Sequence, residues 1–116
     1  MLPKLRAVFH ASSARREPMR EWLKALNADE RKLIGTDIAY VQFKWPLGNP
    51  RVDHLRGPIW EIRTRLRNRV ARVLFVVNGD ELILLHRFIK QTQKTPDGDI
   101  ALAHKRWKEW QDAEEQ

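Results

Sequence analysis

The chain has no cysteine, which removes disulfides, thiolate nucleophiles and Cys-type zinc sites together. Histidine is scarce: the four residues His10, His54, His86 and His104 show no HxxxH or HExxH spacing, so neither a metal site nor another cofactor is expected. No apolar run approaches the 18 residues of a membrane span. The opening "MLPKLRAVFH" becomes charged at once and lacks a signal-peptide pattern, so a soluble, cytoplasmic protein with no membrane partner is expected. There are no internal repeats and no low-complexity segment. With 116 residues and 42% hydrophobic content, the length prior gives a single domain over residues 1–116 with one modest core.

Positive charge is what the chain has in excess, +7 in all, and it is unevenly spread. Residues 51–96 carry ten Lys/Arg against four Asp/Glu, whereas residues 97–116 carry three against six. Five arginines, Arg63, Arg65, Arg67, Arg69 and Arg72, fall within ten residues. Such a focus suits a polyanion, most often nucleic acid, although a solvated basic surface or an acidic protein partner would use the same residues.

Hydrophobic spacing orders the elements. "KLRAVFH" alternates weakly and suits an edge strand over residues 4–10. Met19, Trp22, Leu23 and Leu26 recur at helical spacing after Pro18, so residues 17–26 read as a short helix. A second helix over 29–43 follows an N-cap at Asn27 or Asp29. "KWPLGNPRVDH", with two prolines and a glycine, reads as a loop. "IWEIRTRL", "VARVLFVV" and "ELILLHRFIK" read as three strands of an antiparallel meander, the last two joined at Asn78-Gly79. A helix over 99–113 closes the chain, and the order gives an α+β sandwich of one sheet with helices packed on it.

Alternation sends Glu61, Arg63 and Arg65 to one face, and the neighbouring strand adds Arg72. His86 and Lys90 share a face of the last strand, and "KQTQKTP" beyond it supplies Gln91, Thr92, Gln93, Lys94 and Thr95. Cations on strands, with no helix-turn-helix, zinc finger or basic helix, suit RNA better than duplex DNA. RNA also carries its own nucleophile, the 2′-hydroxyl. Turning it on the adjacent phosphate needs a base, an acid and cations around the phosphoryl oxygens, with no cysteine, serine or metal. His86 follows four apolar residues and fits a hydrogen-bonded core histidine as well as the base. Glu61 fits an ion pair with a neighbouring arginine better than a catalytic role. Arg72, a lone charge inside "VARVLFVV", needs a partner or a polar site; its replacement by alanine is expected to abolish activity and leave the fold intact.

The stretches "REPMREWL", "WPLG", "LRGPIWEIR", "RVLF", "LLHRFIKQTQKTP" and "IALAHKRW" resemble, in order over residues 5 to 108, the phage-related, HigB-type branch of the RelE/ParE toxins. The resemblance implies a RelE-like α+β fold: a small antiparallel sheet with an N-terminal helical hairpin and a C-terminal helix. It implies the toxin of a type II toxin–antitoxin pair, a ribosome-dependent endoribonuclease that cuts mRNA by 2′-hydroxyl attack. A cognate, HigA-like, DNA-binding antitoxin, mRNA and the ribosome would be its partners. Arg63, Arg72, His86 and Lys90 become the candidate catalytic residues, with Arg72 stabilising the phosphate. Arg65, Arg67, Arg69, Gln91, Lys94 and Thr95 become candidate RNA-binding residues. The sequence departs from the family pattern at Gln91, where a second lysine is usual, at Arg87, where glycine is usual, and at Ala71, where an aromatic is common. Gyrase-directed ParE relatives share the superfamily without cutting RNA, so a non-catalytic inhibitor of gyrase or another protein is the alternative.

Overall fold

Asn78-Gly79 is the tightest constraint on the sheet. Gly79 sits at φ +62°, the left-handed conformation a two-residue hairpin demands, and joins β4 (Val70–Asn78) to β5 (Glu81–Lys90). A Cβ at Gly79 would meet nothing within 4 Å, so Gly79→Ala tests the backbone conformation alone. Its unfolding free energy in a urea titration should fall by about 1 kcal/mol.

The computed structural model describes residues 2–12, 14–90 and 94–115, and of Lys90 the backbone only. The chain forms β1 (Arg6–Phe9), α1 (Pro18–Ala25), α2 (Ala28–Lys44), β2 (Val52–Arg56), β3 (Ile59–Arg65), β4, β5 and α3 (Asp97–Glu114). Asn27 caps α2, its side-chain Oδ1 accepting from the Glu30 N–H at 2.8 Å. Among the described residues no helix is long and apolar enough to cross a membrane.

The expected fold class needs correction. Among the described residues the sheet is neither small nor wholly antiparallel, and no helical hairpin comes first: a strand does, and five strands form a mixed sheet in the order β1-β5-β4-β3-β2. Strand β1 lies parallel to β5, Arg6 opposite Glu81 and Phe9 opposite Leu84. The physical reason is that parallel pairing joins segments distant along the chain, and periodicity carries no information about direction or neighbour. A second correction concerns "KWPLGNPRVDH". Its prolines and glycine lie before Val52, and Val52–Arg56 is the edge strand β2, with Asp53 opposite Glu61 and His54 opposite Trp60. Edge position explains why a strand carries Asp53, His54 and Arg56.

The faces of the sheet hold two cores. Ala71, Val73 and Phe75 of β4 pack under α1 and α2, with Met19, Ile34, Ile38 and Val41. Leu74 and Val76 pack on the other face with Ile83, Leu85 and Ala103, beneath Trp107 and Trp110 of α3. Burial on both faces is why β4 after Arg72 and β5 before His86 read as nearly continuous apolar runs. A bulge in the β4–β5 ladder sets the site: Leu74 faces His86 while Phe75 faces Leu84, so Leu85 is the extra residue. Leu82 and Leu84 lie on the α1–α2 side, and simple alternation would put His86 there as well. The extra residue inverts the parity and turns His86 toward α3.

Candidate functional site

Arg72 continues the alternation of Leu74 and Val76, so it lies on the α3 face and is buried there. The register places Arg63 of β3 opposite Arg72 and Asp53 of β2 opposite Glu61, which brings two cations and two anions together. Glu61 is fully buried, at 0% exposure, and stands at the centre. Its Oε1 accepts from the Thr95 hydroxyl at 2.6 Å and from Arg72 Nη1 at 3.4 Å. Its Oε2 accepts from Arg63 Nε at 3.1 Å, and Arg63 Nη2 reaches on to Asp53 Oδ2 at 2.8 Å. Thr95 Oγ1 also accepts from Arg72 Nη1 at 3.1 Å, which ties the chain entering α3 to the middle of the sheet. A carboxylate can be held without water only when donors satisfy it, and three groups do so here.

Exposure grades across this set. Arg72 and Thr95 are buried, whereas the Arg63 side chain is 32% exposed and Lys94 is exposed. Arg63, Lys94 and Thr95, with Asp53, Arg56 and Asp97, line an open cleft of about 370 Å³ between β2, β3 and the start of α3. Arg56 is paired there with Asp97 at 3.0 Å. The cleft therefore offers fixed guanidinium donors over a buried carboxylate, an arrangement suited to holding an anion.

The other expected residues separate from this cluster. Arg65 is exposed beside a neighbouring hollow that Arg63 also lines. Arg67 and Arg69 lie with Asn27, Asp29 and Glu30 around a hollow by the start of α2, and Arg69 is paired with Glu30. Arg87 is turned to the α1 face, its guanidinium 5.8 Å from the Trp22 ring centroid, so it does not stand in for a second lysine. Gln91, Thr92 and Gln93 lie outside the described residues, as does the side chain of Lys90. Asp53, Arg51 and Arg56 escaped the sequence reading because their segment read as a loop. The apolar–polar alternation Val52-Asp53 after Pro50 was the available signal.

His86 lies in the joint between β5 and α3. Nε2 is 2.8 Å from Asp99 Oδ1, and Nδ1 is 3.4 Å from Arg106 Nη1, which also donates to the Leu85 carbonyl at 2.8 Å. A carboxylate only accepts and a guanidinium only donates, so the ring is protonated on Nε2 and accepts at Nδ1. Burial pushes its pKa below the ordinary 6.5, with Arg106 acting in the same sense and Asp99 opposing. His10 is likewise lowered by burial and by Arg106, against Glu109.

A pH dependence follows from both histidines. Between their lowered folded pKa values and 6.5, the unfolded chain binds more protons than the folded one. Stability should therefore be full above about pH 6.5 and fall as pH drops below it, by at most about 1.4 kcal/mol per pH unit for each histidine. Urea midpoints at several pH values will measure the slope, which should shrink in the His10→Gln/His86→Gln double variant.

These features define a small α+β protein with a cationic cleft built over a buried ion network. A family profile, that of the phage-derived Gp49-like proteins (DUF891), matches residues 21–108, and the chain belongs to this family. Membership is consistent, at a coarse level, with the toxin of a toxin–antitoxin pair and hence with an antitoxin partner. No curated protein matches the chain at a significant level.

Proposed function

We propose that the chain is a HigB-type toxin of the RelE/ParE superfamily and an endoribonuclease that cuts mRNA on the ribosome. The observation that carries this reading is the cleft in which the half-buried Arg63 and the exposed Lys94 stand beside Thr95, above the buried Glu61–Arg72 pair. In the reaction the 2′-hydroxyl gives up its proton to solvent as its oxygen bonds to the adjacent phosphorus, and the bond to the 5′-oxygen breaks as that oxygen takes a proton from solvent, leaving a cyclic phosphate and a 5′-hydroxyl. Arg63 and Lys94 would hold the phosphoryl oxygens as charge develops, and preorganised donors of this kind are commonly the largest catalytic contribution. Arg72, buried against Glu61 and Thr95, acts as a positioning residue for the segment carrying Lys94. The antitoxin is a HigA-like, DNA-binding protein that covers the basic face.

One observation favours a second reading, a non-catalytic inhibitor of gyrase or another protein. Both ring nitrogens of His86 are engaged, so the imidazole expected as general base does not serve the cleft. The two readings separate in one experiment. The protein is induced in cells lacking its antitoxin and mRNA 5′ ends are mapped. New ends within translated codons, lost when translation initiation is blocked, are the expected result. Growth arrest with intact mRNA would overturn the nuclease reading, and a block of supercoiling by purified protein would then support the inhibitor.

A further inference from the structure

The cationic row does not end at the cleft. The Arg63 N–H donates to the Arg51 carbonyl at 2.9 Å, and Arg63 stands opposite Arg72, so Arg72, Arg63 and Arg51 follow one another toward the β2 edge. Arg63 is also the shared wall of two hollows. Beyond it lies one of about 430 Å³, lined by Asp37, Pro50, Arg51, Arg63, Arg65 and Val70. Three arginines there face one carboxylate, a larger cationic excess than in the cleft, where two arginines and a lysine face two.

Arg51 is held in place before any ligand arrives. Its guanidinium lies 3.9 Å from the Tyr40 ring centroid, and its Nε is 3.7 Å from Asp37 Oδ1. Its side chain is nevertheless 40% exposed. Stacking on a ring fixes the plane of a guanidinium while leaving its N–H groups at the edge to donate. Arg65 is exposed in the same hollow and has no ion pair among the described residues.

We propose that this second hollow is a phosphate subsite for single-stranded RNA, in which Arg51 and Arg65 clamp the backbone of a strand passing over Arg63 from the cleft. The proposal rests on the RNA reading of the cleft and extends it. Tyr40 is a positioning residue, since it orients Arg51. Asp37 opposes the ligand, because it competes for Arg51 and repels phosphate.

The test is fluorescence anisotropy of the full-length chain with a short 2′-O-methylated oligouridylate, which lacks the attacking hydroxyl and survives binding. Arg51→Ala should weaken binding at low salt by about three- to tenfold and reduce the slope of log K against log salt by about 0.7, one single-strand phosphate contact. Tyr40→Phe should bind as the unaltered chain does, Tyr40→Ala should lose part of the Arg51 contribution, and Asp37→Asn should bind more tightly. An Arg51→Ala protein with unchanged slope, or an Asp37→Asn protein that binds less tightly, would overturn the subsite while leaving the nuclease reading standing. Failure of the unaltered chain to bind at low salt would also overturn it, and the nuclease reading would still be decided by 5′-end mapping.

Discussion

On the nuclease reading proposed above, replacing Arg63 by alanine should lower mRNA cleavage by about two to three orders of magnitude and leave the chain folded. A well-placed donor at developing negative charge is worth about 3–4 kcal/mol, and each 1.4 kcal/mol is about tenfold in rate. Arg63 is the guanidinium that the network itself points into the cleft: Nε is fixed by Glu61, Nη2 by Asp53, and the rest of the group is open. The fold should survive, because Glu61 Oε1 keeps Arg72 and Thr95, and truncating the partly exposed Arg63 opens a path for water from the cleft to Glu61 Oε2 and Asp53. Arg63→Lys is the informative companion. One ammonium cannot occupy the positions of both Nε and Nη2, so lysine restores charge without the bridge and should recover only part of the activity. Circular dichroism checks the fold, and quantified 5′ ends in cells measure cleavage. Undiminished cleavage by a folded Arg63→Ala protein would remove the cleft from consideration.

The pairing of Glu61 with a neighbouring arginine was legible in the residues, whereas the parts of Asp53 and Thr95 in the network were not. A single arginine inside "VARVLFVV" had to find a partner, and Glu61, one strand away with the right parity, fitted an ion pair better than a catalytic acid. Alternation supplied the shared face, and the pair forms at 3.4 Å. Partnership at that depth also revises what Arg72→Ala would do. Its guanidinium belongs to the packed middle of the sheet, so the variant would disturb the fold as well as the cleft. The course of β1 was illegible, because only a long-range contact decides that it lies parallel to β5. So was the bulge at Leu85, which decides the side on which His86 emerges. A period-2 pattern cannot show an inserted residue in a run apolar on both faces. The arginine cluster read as one feature for a similar reason. Sequence proximity grouped Arg67 and Arg69 with Arg63, whereas the turn directs them to the acidic start of α2, where Arg69 meets Glu30.

Glu61→Ala should be the most destabilising single change in the ion network beneath the cleft, costing about 3–5 kcal/mol of unfolding free energy. Small domains hold about 5–15 kcal/mol in total, so the variant should sit near the limit of folding. The alanine removes the carboxylate that Arg72 and Arg63 share and takes from Thr95 its acceptor at 2.6 Å. Glu61→Gln keeps the acceptor oxygen and loses the charge, so it should cost less. The double variant Glu61→Leu/Arg72→Met distinguishes a costly buried charge from a general loss of packing. Replacing both ions with apolar side chains of similar volume is often neutral, so it should recover most of the stability that Glu61→Ala loses. Cleavage should not recover with it, because Thr95 would have lost both its partners on the sheet and Lys94 would no longer be held over the cleft. Urea titration gives the first quantity and 5′-end mapping the second. A loss under about 1 kcal/mol in Glu61→Ala would mean that water reaches Glu61 and that the network is not the closed, desolvated unit on which the positioning of Lys94 depends.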